Sequence, residues 1–217
     1  MADFFQEDMK KISRCWDERA AGFDEEHDTE DLDLWREALD TLLHLPKGSK
    51  ILDVGTGTGF LARLTSGLGY EAAGADVSEG MLSIARSSSL REDKKIDYVL
   101  FDGRSLPFQD ETFDAVVNSR LLWTLSDPKG AFEEWKRVLK TGGRVLSFMR
   151  PAKDLEAPTL WCYDEDLEGR LSLKYAPVPE IMELFRGAGF RNVWVAYLPV
   201  EMSHADLPPW YCIVCDK

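Results

Sequence analysis

At 217 residues the chain has room for one domain with decorations and one sizeable core. Hydrophobic residues at 44% and charged residues at 30% match an ordinary globular protein and argue against extended disorder. The 39 acidic against 26 basic residues leave a net charge of −13, which argues against a polyanionic partner, because nucleic-acid binders neutralise phosphates with a basic face.

The opening residues, Met1 to Asp8, have neither a basic start nor an apolar core, so they do not read as a secretory signal. No apolar run approaches the roughly 18 residues that would span a membrane. The expectation is a cytoplasmic protein with no membrane span. Phe5, Met9, Ile12 and Trp16 fall at helical spacing and predict an amphipathic helix over 4–21, ending near Gly22. Trp35, Leu39 and Leu42 mark a second helix that closes near Pro46, with the polar connection Phe23 to Thr29 before it.

Ile51, Leu52 and Val54 then form the short apolar run of a strand buried on both faces, and Phe60, Leu61 and Leu64 change to helical spacing. Gly55, Gly57 and Gly59 stand at the change of direction. Such a turn is either a tight connection or a seat for a nucleotide-like group, whose ligand meets bare backbone and the amides of the opening helix. Downstream, Ala72 to Ala75 run as a small-residue strand into Asp76, about 20 residues beyond the turn, where a carboxylate at a strand tip meets ribose hydroxyls. The pair favours the ligand seat.

Ser78 is an N-cap for a helix through Arg91. Ile96 to Phe101 give a third strand ending in Asp102-Gly103, and Phe113 to Asn118 a fourth. Asp127-Pro128 starts a helix stopped by Thr141-Gly142-Gly143, before a fifth strand from Arg144 to Met149. Residues 150–177 break the rhythm with Pro151, Pro158 and Pro177, and read as an insertion beside a strand's carboxyl end, either covering a substrate or decorating the rim. Ile181, Leu184, Phe185 and Ala188 mark a last helix. Two final strands over 190–198 and 209–216 read as an antiparallel pair. Alternating short strands and helices predict an α/β fold, a mostly parallel sheet with helices on both faces. One domain covers 1–217, with an N-terminal helical lid over 1–47.

Cys15, Cys162, Cys212 and Cys215 are few and scattered, which suits a reducing compartment. Cys212 and Cys215 have no second pair or nearby histidine to complete a metal site, so strand filler is expected and no metal is assigned.

The assembled order resembles the class I S-adenosylmethionine-dependent methyltransferases over roughly residues 14–150. The acid-x-Gly-x-Gly-x-Gly motif is matched by Asp53, Gly55, Gly57 and Gly59. Leu106-Pro107-Phe108, Phe113 to Val116 and Arg137 to Gly143 are similar to later motifs of the ubiquinone/menaquinone-methyltransferase-like branch, and Trp16 to Ala20 with Phe23-Asp24 to its N-terminal lid. The resemblance implies a Rossmann-like seven-stranded sheet in the order 3-2-1-4-5-7-6 with the last strand antiparallel. It implies S-adenosyl-L-methionine as cofactor and S-adenosyl-L-homocysteine as product. Asp76 with Val77 would hold the ribose, and Asp102 with Gly103 the adenine amine. Thr56, Met81, Asn118 and Trp16 complete the implied cofactor set.

One departure stands out. Where many relatives carry histidines after the fourth strand, this chain has Leu121-Leu122-Trp123, so no general base is inherited. Asn118-Ser119-Arg120-Leu121 also lacks the Asn/Asp-Pro-Pro-aromatic signature of amino-methylating nucleic-acid enzymes. A small-molecule acceptor is expected, and a homodimer stays open as the assembly. A hydroxyl acceptor would want a base, for which His27, Tyr163, Tyr175 and Glu165 are candidates by location. Trp16, Phe23, Trp123, Trp161 and Tyr163 come from segments near the pocket mouth and could stack an aromatic or cationic acceptor. Two competing functions remain: a nicotinamide-dependent oxidoreductase, whose fingerprint is Gly-x-Gly-x-x-Gly, and a non-catalytic subunit that keeps the fold as a partner platform.

Overall fold

The computed structural model describes residues 4–25, 30–150, 162–202 and 208–217. Seven strands make one sheet: β1 (Lys50–Val54), β2 (Glu71–Asp76), β3 (Asp97–Leu100), β4 (Phe113–Ser119), β5 (Leu139–Met149), β6 (Arg191–Tyr197) and β7 (Tyr211–Asp216). Their order is β3-β2-β1-β4-β5-β7-β6, with β7 antiparallel to both its neighbours and the pairs among β1 to β5 parallel. This is the expected sheet. Helices α1 (Phe4–Arg19), α2 (Leu32–Leu43), α3 (Phe60–Gly67), α4 (Glu79–Arg91), α5 (Pro128–Val138), α6 (Glu165–Glu168) and α7 (Val178–Gly187) surround it.

Alternation along the strands divides the core between the two faces of the sheet. Leu52, Val116 and Ile213 pack with Phe132 and Trp135 of α5 and Phe185 of α7. Ile51, Val117 and Val214 pack with Trp35 and Leu39 of α2 and Leu61 of α3. The second predicted helix therefore belongs to the layer under the sheet: Trp35 is fully buried against Phe60, Phe148 and Trp210. Only α1 of the two N-terminal helices reaches over the carboxyl ends of the strands.

The fifth strand begins earlier than its sequence suggests. The chain leaves α5 at Val138 and enters β5 at Leu139, which pairs with Phe113 before the register shifts. The Thr141-Gly142-Gly143 stop signal thus forms a bulged strand extension, with Gly142 at a positive φ of 78° and Lys140 Nζ 2.8 Å from Asp114.

Candidate active site

A cavity of about 220 Å³ opens at the carboxyl ends of the strands, where an open parallel sheet places its ligands. Its floor is Val54, Gly55 and Gly57 of the glycine turn. The ends of β2 and β3 contribute Asp76, Val77, Phe101 and Gly103, with Met81 from α4. Beyond β4 it is lined by Ser119, Arg120, Leu121 and Trp123. Phe5, Met9, Ile12, Trp16 and Phe23 cover it from α1 and the turn that follows.

The glycines serve different ends. A Cβ on Gly57 would meet nothing nearer than Phe23 at 4.0 Å, so this glycine presents open backbone to the cavity at a φ of 54°. Gly59, at φ 85°, instead caps α3 and leaves no room: its Cβ would fall 2.4 Å from the Tyr98 hydroxyl. Asp53 lies behind the turn. Its Oδ2 accepts from the Thr56 hydroxyl at 2.7 Å and from the Ala62 amide at 3.1 Å, joining strand, turn and helix. Burial pushes its carboxyl up to about 7, against the pull of those two donors.

Asp76 faces the cavity while holding the turn. Oδ2 accepts from the Gly57 amide at 2.8 Å and Oδ1 from the Ser78 amide at 2.9 Å. Burial raises this carboxyl to about 6, the amides oppose the shift and nearby Asp17 adds to it. An ionised carboxylate offers about four lone-pair sites, so two amides leave room for a diol. Bare Gly57 backbone beside that carboxylate fits an adenosyl group carrying a ribose.

Among the expected cofactor residues, Trp16, Gly55, Gly57, Asp76, Val77, Met81 and Gly103 line the cavity. Asp53, Thr56 and Gly59 sit behind its wall. Asp102 is exposed, and its Oδ1 accepts from the Arg104 and Ser105 amides, which hold its carboxyl below the usual range. Asn118 is buried, donating to Ser147 Oγ at 3.0 Å, and its own oxygen has no partner. None of the base candidates with described positions lines the cavity. Tyr163 is buried with its hydroxyl accepting from Trp16 Nε1 at 3.1 Å, and burial drives its phenol upward, which keeps it protonated and not available as a base. Glu165 lies in α6 on the outer surface, and Tyr175 is exposed beside Lys174. His27 and Trp161 fall outside the described residues.

Sequence reasoning missed how the lid is fastened. Asp17 of α1 accepts from Ser78 Oγ at 2.6 Å and the Gly80 amide at 2.8 Å, docking α1 onto the start of α4. Arg170 binds Asp8 at 2.8 and 2.5 Å, and Lys11 binds Asp164 at 2.6 Å. The four cysteines are not all scattered: Cys15 and Cys162 lie 5.5 Å apart at Cα and form a disulfide. Tyr163, Leu167 and Leu171 bury against Ile12, so α1 and residues 162–171 form one cap. These partners are 61 to 162 residues apart in the chain, beyond the reach of local patterns. Cys212 and Cys215 are buried free thiols in β7, both pushed well up by burial.

Residues 52–147 match the family model described as a methyltransferase domain. The chain is 32% identical over 180 residues to the ubiquinone/menaquinone biosynthesis C-methyltransferase UbiE of Desulfotalea psychrophila, covering 73% of this chain and 72% of that protein. It is 34% identical over 139 residues to a demethylmenaquinone methyltransferase of Clavibacter sepedonicus, covering 63% of this chain; the match spans only about half of that relative's length, 56%. A phosphoethanolamine N-methyltransferase of Haemonchus contortus, solved with S-adenosylhomocysteine, shares the fold at a TM-score of 0.66 and 19% identity, over 84% of this chain and 52% of that one. With its glycine turn, strand order and relatives all in agreement, the chain belongs to the class I S-adenosylmethionine-dependent methyltransferases, in their ubiquinone/menaquinone-methyltransferase-like branch.

Proposed function

We propose that this chain transfers the methyl group of S-adenosylmethionine to a small, largely apolar acceptor held beneath α1. The observation that carries this reading is one cavity that is lined by bare Gly57 backbone and Asp76 and covered by the aromatic side chains of α1 and the turn after it. Asp76 holds the ribose, and Val77, Met81, Phe101 and Gly103 enclose the base. When bound, the cofactor supplies a methyl group already activated on a sulfonium.

The chain's own task is then to align and to exclude water, and held geometry alone can lower such a barrier by about 7–11 kcal/mol. Trp16, Phe23 and Trp123 close over the acceptor as an edge-to-face cluster, with ring centroids 5.9 and 6.1 Å from Trp16. The other carboxylates lining the cavity are engaged. Asp127 caps α5 through the Gly130 amide at 3.0 Å, and Glu134 is held by Arg137 at 2.7 and 2.8 Å. With no unengaged base among the described cavity residues, the acceptor brings its own nucleophile, an amine, a thiol or a carbon activated by a neighbouring ionised oxygen. The two relatives named for quinone biosynthesis support a ring-bearing acceptor. A net charge of −13 supports a small molecule over a nucleic acid.

Isothermal titration with S-adenosylmethionine and, separately, with NADH tests the reading. Binding of the former alone is expected. Binding of NADH without S-adenosylmethionine would overturn it in favour of an oxidoreductase.

A further inference from the structure

Beside the cavity, at Arg120, lies a partly buried cluster of charged side chains gathered over a core tryptophan. Arg120 follows β4 and lines the cavity, Arg150 follows β5, and Trp210 immediately precedes β7. Both guanidinium groups lie over the Trp210 indole, 4.5 and 4.3 Å from its centre. Glu30 binds Arg120 Nη2 and stands 3.9 Å from Arg150 Nη2, with its side chain only 4% exposed. Two cations thus face one carboxylate in a protein that is strongly acidic elsewhere.

The cluster is also incomplete. Arg150 Nε, Trp210 Nε1 and Glu30 Oε2 are buried without a hydrogen-bond partner. Buried polar atoms are normally satisfied, and an uncompensated buried charge is costly, so this concentration points to a missing group. The surplus is one positive charge and two of the three orphaned atoms are donors, which suits a singly charged oxygen anion better than a dianion. The Glu30 oxygen can take a hydroxyl or amine hydrogen from the same molecule.

Resting on the methyltransferase reading, we propose that Arg120 and Arg150, framed by Glu30 and Trp210, bind a carboxylate on the methyl acceptor. The acceptor is then an apolar acid. Its ring or chain lies under Trp16 and Trp123, and its carboxylate is drawn towards the ends of β4 and β5, which fixes which atom meets the methyl group. Arg120 and Arg150 act here as binding and positioning residues.

The probes are 3-phenylpropionate, its neutral amide 3-phenylpropanamide and inorganic phosphate, titrated by calorimetry into the full chain with and without S-adenosylhomocysteine. The acid should bind at least tenfold tighter than the amide, and it should shift the Arg150 Nε–H resonance in a nitrogen-correlated spectrum. Arg120→Met should level acid and amide, while Arg120→Lys should keep part of the preference. Because the arginines pack on the buried Trp210, folding of each variant is checked by circular dichroism, and Arg150→Gln serves as a second route to the same loss. Equal binding of acid and amide, failure of both to bind, or a preference unchanged in Arg120→Met and Arg150→Gln would overturn the proposal. Binding of phosphate in place of the acid would overturn it in favour of a free-anion site. A chain that binds the acid but no S-adenosylmethionine would sink the methyltransferase reading and leave the anion site standing.

Discussion

Asp76→Asn separates two roles that one carboxylate holds at once. In the wild type each carboxylate oxygen accepts one backbone amide, from Gly57 at 2.8 Å and from Ser78 at 2.9 Å. Asparagine has a single acceptor oxygen, so one of those amides would face an NH₂ group and the turn would loosen. A hydrogen bond to a charged group contributes about 1.5–3 kcal/mol, so affinity for S-adenosylhomocysteine should fall about tenfold to a hundredfold. That loss mixes turn and ribose. The 2′,3′-dideoxy analogue of the ligand resolves the mixture. The wild type should bind the analogue at least tenfold more weakly than the parent, whereas the variant should hardly distinguish them. Because burial raises the Asp76 carboxyl to about 6, wild-type affinity should also drop roughly tenfold from pH 7 to pH 5 as the ionised form is lost. The variant should be flat over that range. If both proteins show the same penalty for the dideoxy analogue, Asp76 holds the turn and touches no ribose.

Two further substitutions probe the frame behind the cavity. A Cβ at Gly74 would fall 2.7 Å from two Tyr98 ring atoms and 2.8 Å from Thr56 Oγ1, so Gly74→Ala should cost about 1–3 kcal/mol in denaturant unfolding and weaken cofactor binding without touching the ligand; unchanged stability would mean Tyr98 yields freely. Asp53 titrates with a carboxyl raised to about 7 from 3.8, so its neutral form stabilises the fold at low pH and that contribution is lost as pH rises between those values. Asp53→Asn can keep both bonds through one oxygen, since both land on Oδ2. Relative to wild type it should gain a few kcal/mol between pH 4 and pH 8. A variant whose unfolding midpoint parallels the wild type at all pH values would refute that assignment.

The sheet was legible because parallel strands buried on both faces must be short and apolar, as Ile51-Leu52 and Val116-Val117 are, with helical spacing between them. Legibility failed where partners are distant. The Thr141-Gly142-Gly143 segment carries a helix-stop signal, yet Leu139 pairs with Phe113, a contact that no local pattern encodes. Asp102 stands where an adenine-capping acid is expected, and its Oδ1 accepts from the Arg104 and Ser105 amides, which fix its side chain at the end of β3. A lid was expected from the N-terminal helices, but the contacts that fasten it are equally non-local. Asp17, Cys15 and Asp8 have ordinary places on a helical stripe, and only the fold supplies Ser78, Cys162 and Arg170.

The missing histidine after β4 now has a physical counterpart. A Cβ on Gly55 would fall 2.6 Å from Leu121 Cδ1, so the Leu121 side chain packs directly on the glycine turn. Its residue type closes the cavity floor with an apolar group and supplies no proton acceptor. One residue earlier, Arg120 adopts a φ of 59°, and its amide donates to the Phe148 carbonyl at 3.0 Å, locking the loop between β4 and β5. The loop thus offers a charge for holding an acceptor and an apolar wall for enclosing it. With the proposed anion site, selectivity would follow from where the acceptor is gripped, and the strength of the nucleophile would be left to the acceptor itself.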